Sequence, residues 1–238
     1  MQTSLPASSV GGMIVALSNS KGGVGKSTIA VHLAVWQAER GRKVILVDSD
    51  VQASSSTWLH EAAPAIESVR LLTSDDVLEQ MPSIAARCDD IIADGPAGLS
   101  EVTRALMYKA DMVVLPCGPS ALDLRAVIDA VDVIKQLKAI RKGLPHPVIV
   151  PNKLQPQYRL SKDLMQTVRG FDMPAGDGLH LRQAYADAAG QGKVVWHMSG
   201  VSARAATAEM QFLFQQLTSY ARNQTNFGRS HAHTENHA

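Results

Sequence analysis

Ser20-Lys21-Gly22-Gly23-Val24-Gly25-Lys26-Ser27-Thr28 lies just after the apolar run Met13-Ile14-Val15-Ala16-Leu17, with two residues between. A glycine-rich turn between a strand and a helix points successive backbone N–H groups at one small volume. The helix N-terminus adds its positive dipole end there, so the turn becomes a cradle for phosphate. Lys26 is placed to reach the outer phosphates, the Ser27 hydroxyl to ligate Mg²⁺, and Thr28 follows on the same turn. The pattern G-x-x-x-x-G-K-[ST] is met except at its first position, which is Ser20. A second lysine, Lys21, precedes Lys26 by five residues. Spacing alone makes it a second cation beside the phosphates.

Outward from this loop, strands are expected at Met13–Leu17, Val44–Asp48, Val69–Leu72, Ile91–Asp94, Met112–Pro116 and Val148–Pro151. Most are short continuous apolar runs, as in parallel strands buried on both faces. Helical patterns lie between them, at Ser27–Arg40, Asp75–Cys88, Ser100–Ala110 and Leu122–Arg141. Further on, Leu160–Val168 and Arg182–Ala189 read as helices, Gly178–Leu181 as a short strand, and Ser202–Arg222 as an amphipathic helix. Alternation of this kind predicts an α/β fold: a doubly wound, mostly parallel sheet with helices on both faces. Ligand then sits at the carboxyl ends of the strands. Residues 1–12 read as a flexible leader, 13–222 as one domain, and 223–238, which lack periodicity, as a disordered tail.

Composition narrows the options. The chain has 238 residues, 45% hydrophobic and 19% charged, with a formal net charge of +1, enough for one sizeable core. Near-neutral charge means that any nucleic-acid binding must come from a local patch. Aromatics at 5% argue against base stacking as the main mode. Cys88 and Cys117 are too few and too far apart for a zinc site or a disulfide framework, and a small apolar packing role suits both. No apolar run approaches the ~20 residues that cross a bilayer, and no basic segment precedes an apolar stretch at the start. The expectation is a cytoplasmic protein.

Two carboxylate motifs complete the chemistry. Val47-Asp48-Ser49-Asp50-Val51-Gln52 ends the second strand, and residues two apart on an extended chain project to the same side. Ile91-Ile92-Ala93-Asp94 ends a buried strand with an acid, followed by Gly95-Pro96-Ala97-Gly98. Such an acid can hold Mg²⁺ through water.

With its second lysine, the loop resembles that of the deviant Walker A P-loop ATPases, the ParA/MinD family. The likeness covers roughly residues 13–220 and runs to the short plasmid-type (ParF-like) partition proteins. It implies that Lys21 crosses a dimer interface to touch the partner's nucleotide. It further implies that Asp48 helps hold the Mg²⁺ shell, with Ser27 and Asp94, and that Asp50 positions the attacking water. The family pattern D-x-D-P-Q carries Val51 here in place of proline. Asn152, in Val150-Pro151-Asn152-Lys153, matches the adenine-reading position, and it equally suits a turn. Pro119, Ser120 and Asp123 match a loop near the subunit interface; Ser120 capping a helix with Asp123 in its first turn accounts for the same residues.

What the resemblance implies is a weak ATPase using ATP and Mg²⁺ as a switch in DNA segregation or plasmid partition. An ATP-dependent homodimer would bind nucleoid DNA without sequence preference and be released by a ParB-like adaptor. Candidate DNA contacts are Arg182, Arg159, Lys162 and Arg204, with Arg169 and Lys193 behind them. A positioning ATPase for a protein cargo (a carboxysome or chemoreceptor cluster) or a conjugation complex would look the same. A MinD-like membrane switch is disfavoured, because Gln224-Thr225-Asn226-Phe227-Gly228-Arg229 offers one large apolar residue. An iron–sulfur relative is disfavoured because neither Cys88 nor Cys117 forms a C-x-x-C, and a small-molecule ligase is disfavoured by Lys21 and the partition-like loops.

Overall fold

Six parallel strands form the sheet, and all but the third are largely apolar runs that bury both of their faces. They are β1 (Met13–Leu17), β2 (Val44–Asp48), β3 (Glu67–Arg70), β4 (Asp90–Asp94), β5 (Met112–Cys117) and β6 (His146–Pro151), in the sheet order β3-β2-β4-β1-β5-β6. The computed structural model describes residues 12–234. Strand alternation divides the core. Val15, Leu17, Leu46, Ile92 and Val114 pack on one side of the sheet, and Ala16, Ile45, Val47, Ile91 and Val113 on the other. The doubly wound α/β expectation holds.

The first layer contains α1 (Lys26–Ala38), α2 (Ser54–Ala62), α7 (Gln183–Gly190) and α8 (Val201–Thr234), with a single 3₁₀ turn at Val195–His197. The second contains α3 (Ser74–Ala85), α4 (Glu101–Lys109), α5 (Ala121–Ile140) and α6 (Arg159–Arg169). Side-chain caps start three of the latter four. Thr73 accepts from the Asp76 N–H, Ser100 from that of Thr103, and Ser120 from that of Asp123. Register fixes the functional edge: Asp94 pairs with Leu17 on one side and Asp48 on the other. Phosphate loop and carboxylates therefore leave the sheet at one level.

Several expected boundaries move. The third strand is Glu67–Arg70, earlier than Val69–Leu72, because it is an edge strand with largely exposed side chains and its pairing leaves little apolar signature. Gly178–Leu181 forms no strand; it is extended, bonded to Leu154 through Leu179 and Leu181 backbone groups and a single bridge at His180. After Arg222, where the sequence reading expects a disordered tail, α8 runs on to Thr234. Residues 223–234 hold no proline and one glycine, and a helix already nucleated on the core propagates at little cost per residue. The expected leader, up to residue 11, and residues 235–238 lie outside the described residues. Among the described residues, no helix is long and apolar enough to cross a membrane.

His32, within α1, ties that helix to the 3₁₀ turn at Val195–His197. Its Nδ1–H donates to the Thr28 carbonyl (2.7 Å), and its Nε2 accepts the Val195 N–H (3.1 Å). Trp58, Tyr185 and Trp196 stand edge-on around it. Burial pushes the imidazole down to about 4, against the pull of the Thr28 carbonyl. The unfolded chain titrates near ~6.5. As pH falls through that window the unfolded state gains a proton that the folded state refuses, and stability drops by up to about 3 kcal/mol. Thermal melts from about pH 7 to about pH 4.5 should therefore show a steep Tm loss in the wild type. His32→Gln should start lower but lose part of that slope. Parallel slopes in the two proteins would clear His32 of the effect.

Candidate functional site

At the mouth of the sheet the loop turns on glycines where the backbone is left-handed, with φ of 74° at Gly23 and 98° at Gly25. Gly25 is the N-cap residue of α1, immediately before Lys26. Lys26 is buried, with Nζ 3.4 Å from the Lys21 carbonyl, which keeps the ammonium folded into the cradle. Burial pulls its pKa down; the charges of Asp94 and Asp50 pull it back up. Asn19, which the sequence reading overlooked, is fully buried beneath the turn. Its amide donates to the Pro116 carbonyl (2.7 Å) and its Oδ1 accepts the Lys21 N–H (2.8 Å).

The three acids separate into different roles. Asp48 is fully buried and spends both oxygens on backbone, accepting from Asp50 N (3.0 Å) and Ser56 N (2.9 Å). Expected in the metal shell, it also braces the loop and caps α2 from eight residues away. Asp94 is also fully buried, and neither of its oxygens has a hydrogen-bond partner. Ser27 and Ser55 hydroxyls face it without closing a bond. Burial pushes the Asp94 carboxyl up to about 6, with Asp48 adding and Ser27, Ser55 and Lys26 opposing. An orphaned buried carboxylate beside a loop hydroxyl fits a hydrated Mg²⁺. Ser55 joins the site unforeseen, because α2 opens on a serine run that reads as loop.

Asp50 stands at the tip. Its Oδ1 accepts the Gln52 N–H (2.9 Å), and Arg70, from β3, donates to the carbonyls of Asp50 (3.1 Å) and Val51 (3.2 Å). Ala53 closes this loop at φ 53°, an uncommon value for a residue with a Cβ. Val51, in the family's proline place, is exposed.

Lys21 does not hang in solvent. Its Nζ meets Asp123 Oδ1 at 2.8 Å, and the other Asp123 oxygen accepts from the Ser120 hydroxyl (2.5 Å). Ser120 and Asp123 thus form a helix cap and a lysine anchor at once, and Pro119 precedes them. The Lys21 side chain keeps 43% exposure.

Beyond the loop lies a cavity of about 260 Å³, walled by Gly25, Thr28, Asn152, Leu181, Arg182 and Tyr185 among others. Asn152, one of its walls, has turned its carboxamide to the loop, donating to the Val24 carbonyl (2.7 Å). Arg182, expected as a free cation for DNA, is half-buried against Glu209, which also accepts from His180 Nδ1 (2.8 Å). Burial raises the Glu209 carboxyl, but Arg182 and His180 outweigh it and hold it below its ordinary range. Arg159 (paired with Asp163 at 3.4 Å), Lys162 and Arg169 stand exposed on α6, while Arg204 is exposed on α8 and Lys193 before the 3₁₀ turn. The candidate cations are spread over both layers instead of gathering in one patch. Cys117 is buried and Cys88 half-buried, and neither forms a disulfide.

The family model described as the CobQ/CobB/MinD/ParA nucleotide binding domain matches residues 15–195. A protein of Gloeobacter kilaueensis named maintenance of carboxysome distribution protein A is 30% identical over 206 residues, 86% of this chain and 93% of that one. Protein IncC of Escherichia coli is 26% identical, over 82% of this chain and 66% of its own. Among solved structures, the ATP complex of a Cyanothece McdA variant superposes with a TM-score of 0.72 at 12% identity, covering 87% of this chain and 96% of that one.

Proposed function

Because the chain belongs to the CobQ/CobB/MinD/ParA nucleotide-binding family, we propose that it is a ParA-type ATPase working as a positioning switch. ATP pairs two copies face to face, the pair holds DNA without sequence preference, and hydrolysis stimulated by a ParB-like adaptor releases it. One observation supports this above others: Lys21 lies at the phosphate loop with its ammonium on Asp123, partly exposed and free to exchange partners. Lys26 neutralises the outer phosphates, and Ser27 and Asp94, with Asp48 beside them, would hold Mg²⁺, which when bound would offset phosphate charge. Asp50 orients the attacking water, and Lys21 reaches the partner's triphosphate. The protein then acts in the cytoplasm, on the nucleoid.

The cargo is plasmid or chromosomal DNA on the first reading. A protein cargo is the second, favoured by the carboxysome-distribution name of the Gloeobacter relative; a conjugation complex would use the same cycle. Both readings share a test. Retention on non-specific DNA should appear with ATP and vanish with ADP, its log–log salt slope near −0.9 for each phosphate contacted. Lys162→Ala on α6 should flatten that slope by about 1 if it is a contact. Arg182→Ala should weaken DNA retention more than ATP hydrolysis, Arg182 being both a candidate contact and a wall of the cavity. Retention that ignores which nucleotide is present would remove the switch.

A further inference from the structure

We propose that Asn152 is a positioning residue for the phosphate loop: its carboxamide ties the loop to the end of β6 and sets the loop backbone for phosphate, whatever base follows. The residue is 7% exposed. Its Nδ2 donates to the Val24 carbonyl, 128 positions away in sequence, at 2.7 Å and out of contact with water. Its Oδ1 accepts the N–H of Lys153 (2.8 Å), and its own backbone N–H donates to the Cys117 carbonyl (2.7 Å). One end of the tether is therefore anchored where β5 and β6 finish together, and the other is the loop.

Two backbone features fit this arrangement. Lys153 sits at φ 57°, in the left-handed region that a side chain seldom adopts. The neighbouring N–H thereby closes on Oδ1. Gly25, at φ 98°, faces the amide so closely that a Cβ there would run into Asn152 Nδ2. Glycine at that position serves the tether as much as the turn. Val24 itself is 4% exposed, so truncating Asn152 would take from a buried carbonyl its hydrogen-bond partner. Both polar ends of the carboxamide are thus engaged with backbone, in a residue that also walls the cavity.

A loss of ATP affinity alone does not separate a tether from a base reader, but a ligand without a base does. Inorganic tripolyphosphate, ATP and GTP are competed against a fluorescent ATP analogue on the full chain, wild type and Asn152→Ala. All three ligands should weaken by one common factor, roughly ten- to a hundredfold, with the ATP-to-GTP ratio kept. Unchanged tripolyphosphate affinity with a collapsed ATP preference would overturn the tether in favour of base reading. A second measurement needs no variant: in the nucleotide-free wild type, an Asn152 carboxamide proton should resist solvent exchange. Exchange as fast as at the exposed Asn223 would overturn the proposal. The inference rests on the loop holding phosphates. A wild-type chain indifferent to tripolyphosphate fails that reading, while the exchange measurement judges the tether alone.

Discussion

Lys21→Ala is expected to bind ATP much as the wild type does and yet stay solitary at saturating nucleotide. Lys26, Ser27 and the loop N–H groups, which are assigned the cis contacts, are untouched by the change. The missing ammonium is the group assigned to the partner's triphosphate. In the structure it rests on Asp123 at 2.8 Å with 43% exposure, and exposed pairs of this kind contribute only up to ~1 kcal/mol. A desolvated lysine–phosphate pair is stronger, and truncating one side of such a pair costs about 2–5 kcal/mol. A symmetric dimer contains two of them, so its dissociation constant should rise by at least about a thousandfold. Light scattering with ATP, across protein concentration, measures this directly. A Lys21→Ala chain that pairs like the wild type would end the switch model.

The second large effect is expected at Asp50. Asp50→Ala should lower turnover by about 10²–10⁴, the range for losing a group that orients or deprotonates the nucleophile, while leaving ATP bound and the dimer trapped. The loop that carries Asp50 has anchors besides its carboxylate, which accepts the Gln52 N–H. Asp48 accepts two backbone N–H groups within and beside it, and Arg70 donates to two of its carbonyls. Removing the side chain should therefore spare the backbone. Single-turnover hydrolysis alongside dimer lifetime separates the outcomes: wild-type turnover would strip Asp50 of its role, and loss of ATP binding would recast it as structural.

How much could be read beforehand depended on whether each feature was local. β1, β2, β4 and β5 were legible because strands covered on both faces must be apolar throughout. β3 was misplaced because an edge strand has no such requirement. α2 was missed altogether: its first turn is serine-rich, and the cap comes from Asp48 on the preceding strand. The loop lysines and Asp94 were visible as spacing. Their working partners were not: Asp123 and Ser55 reach the loop only when separate strand ends are brought level, and Asn19, local to the loop, is anchored through the Pro116 carbonyl of β5. Arg182 looked free in sequence because Glu209, its partner, lies a turn and a helix further on.

The order of strands also limits how copies of this protein can associate. One rim of the sheet is β3, four residues long, largely exposed and fenced by the Glu67–Arg87 ion pair. The other is β6, which carries Pro147 and Pro151, and whose outward backbone is already satisfied by the stretch around Pro174, Gly176 and Leu179. Short charged rims and prolines discourage strand-to-strand stacking between molecules. Filament growth by edge addition is thereby disfavoured, which leaves the helices and the loop-bearing end of the molecule as the better surfaces for any higher-order array.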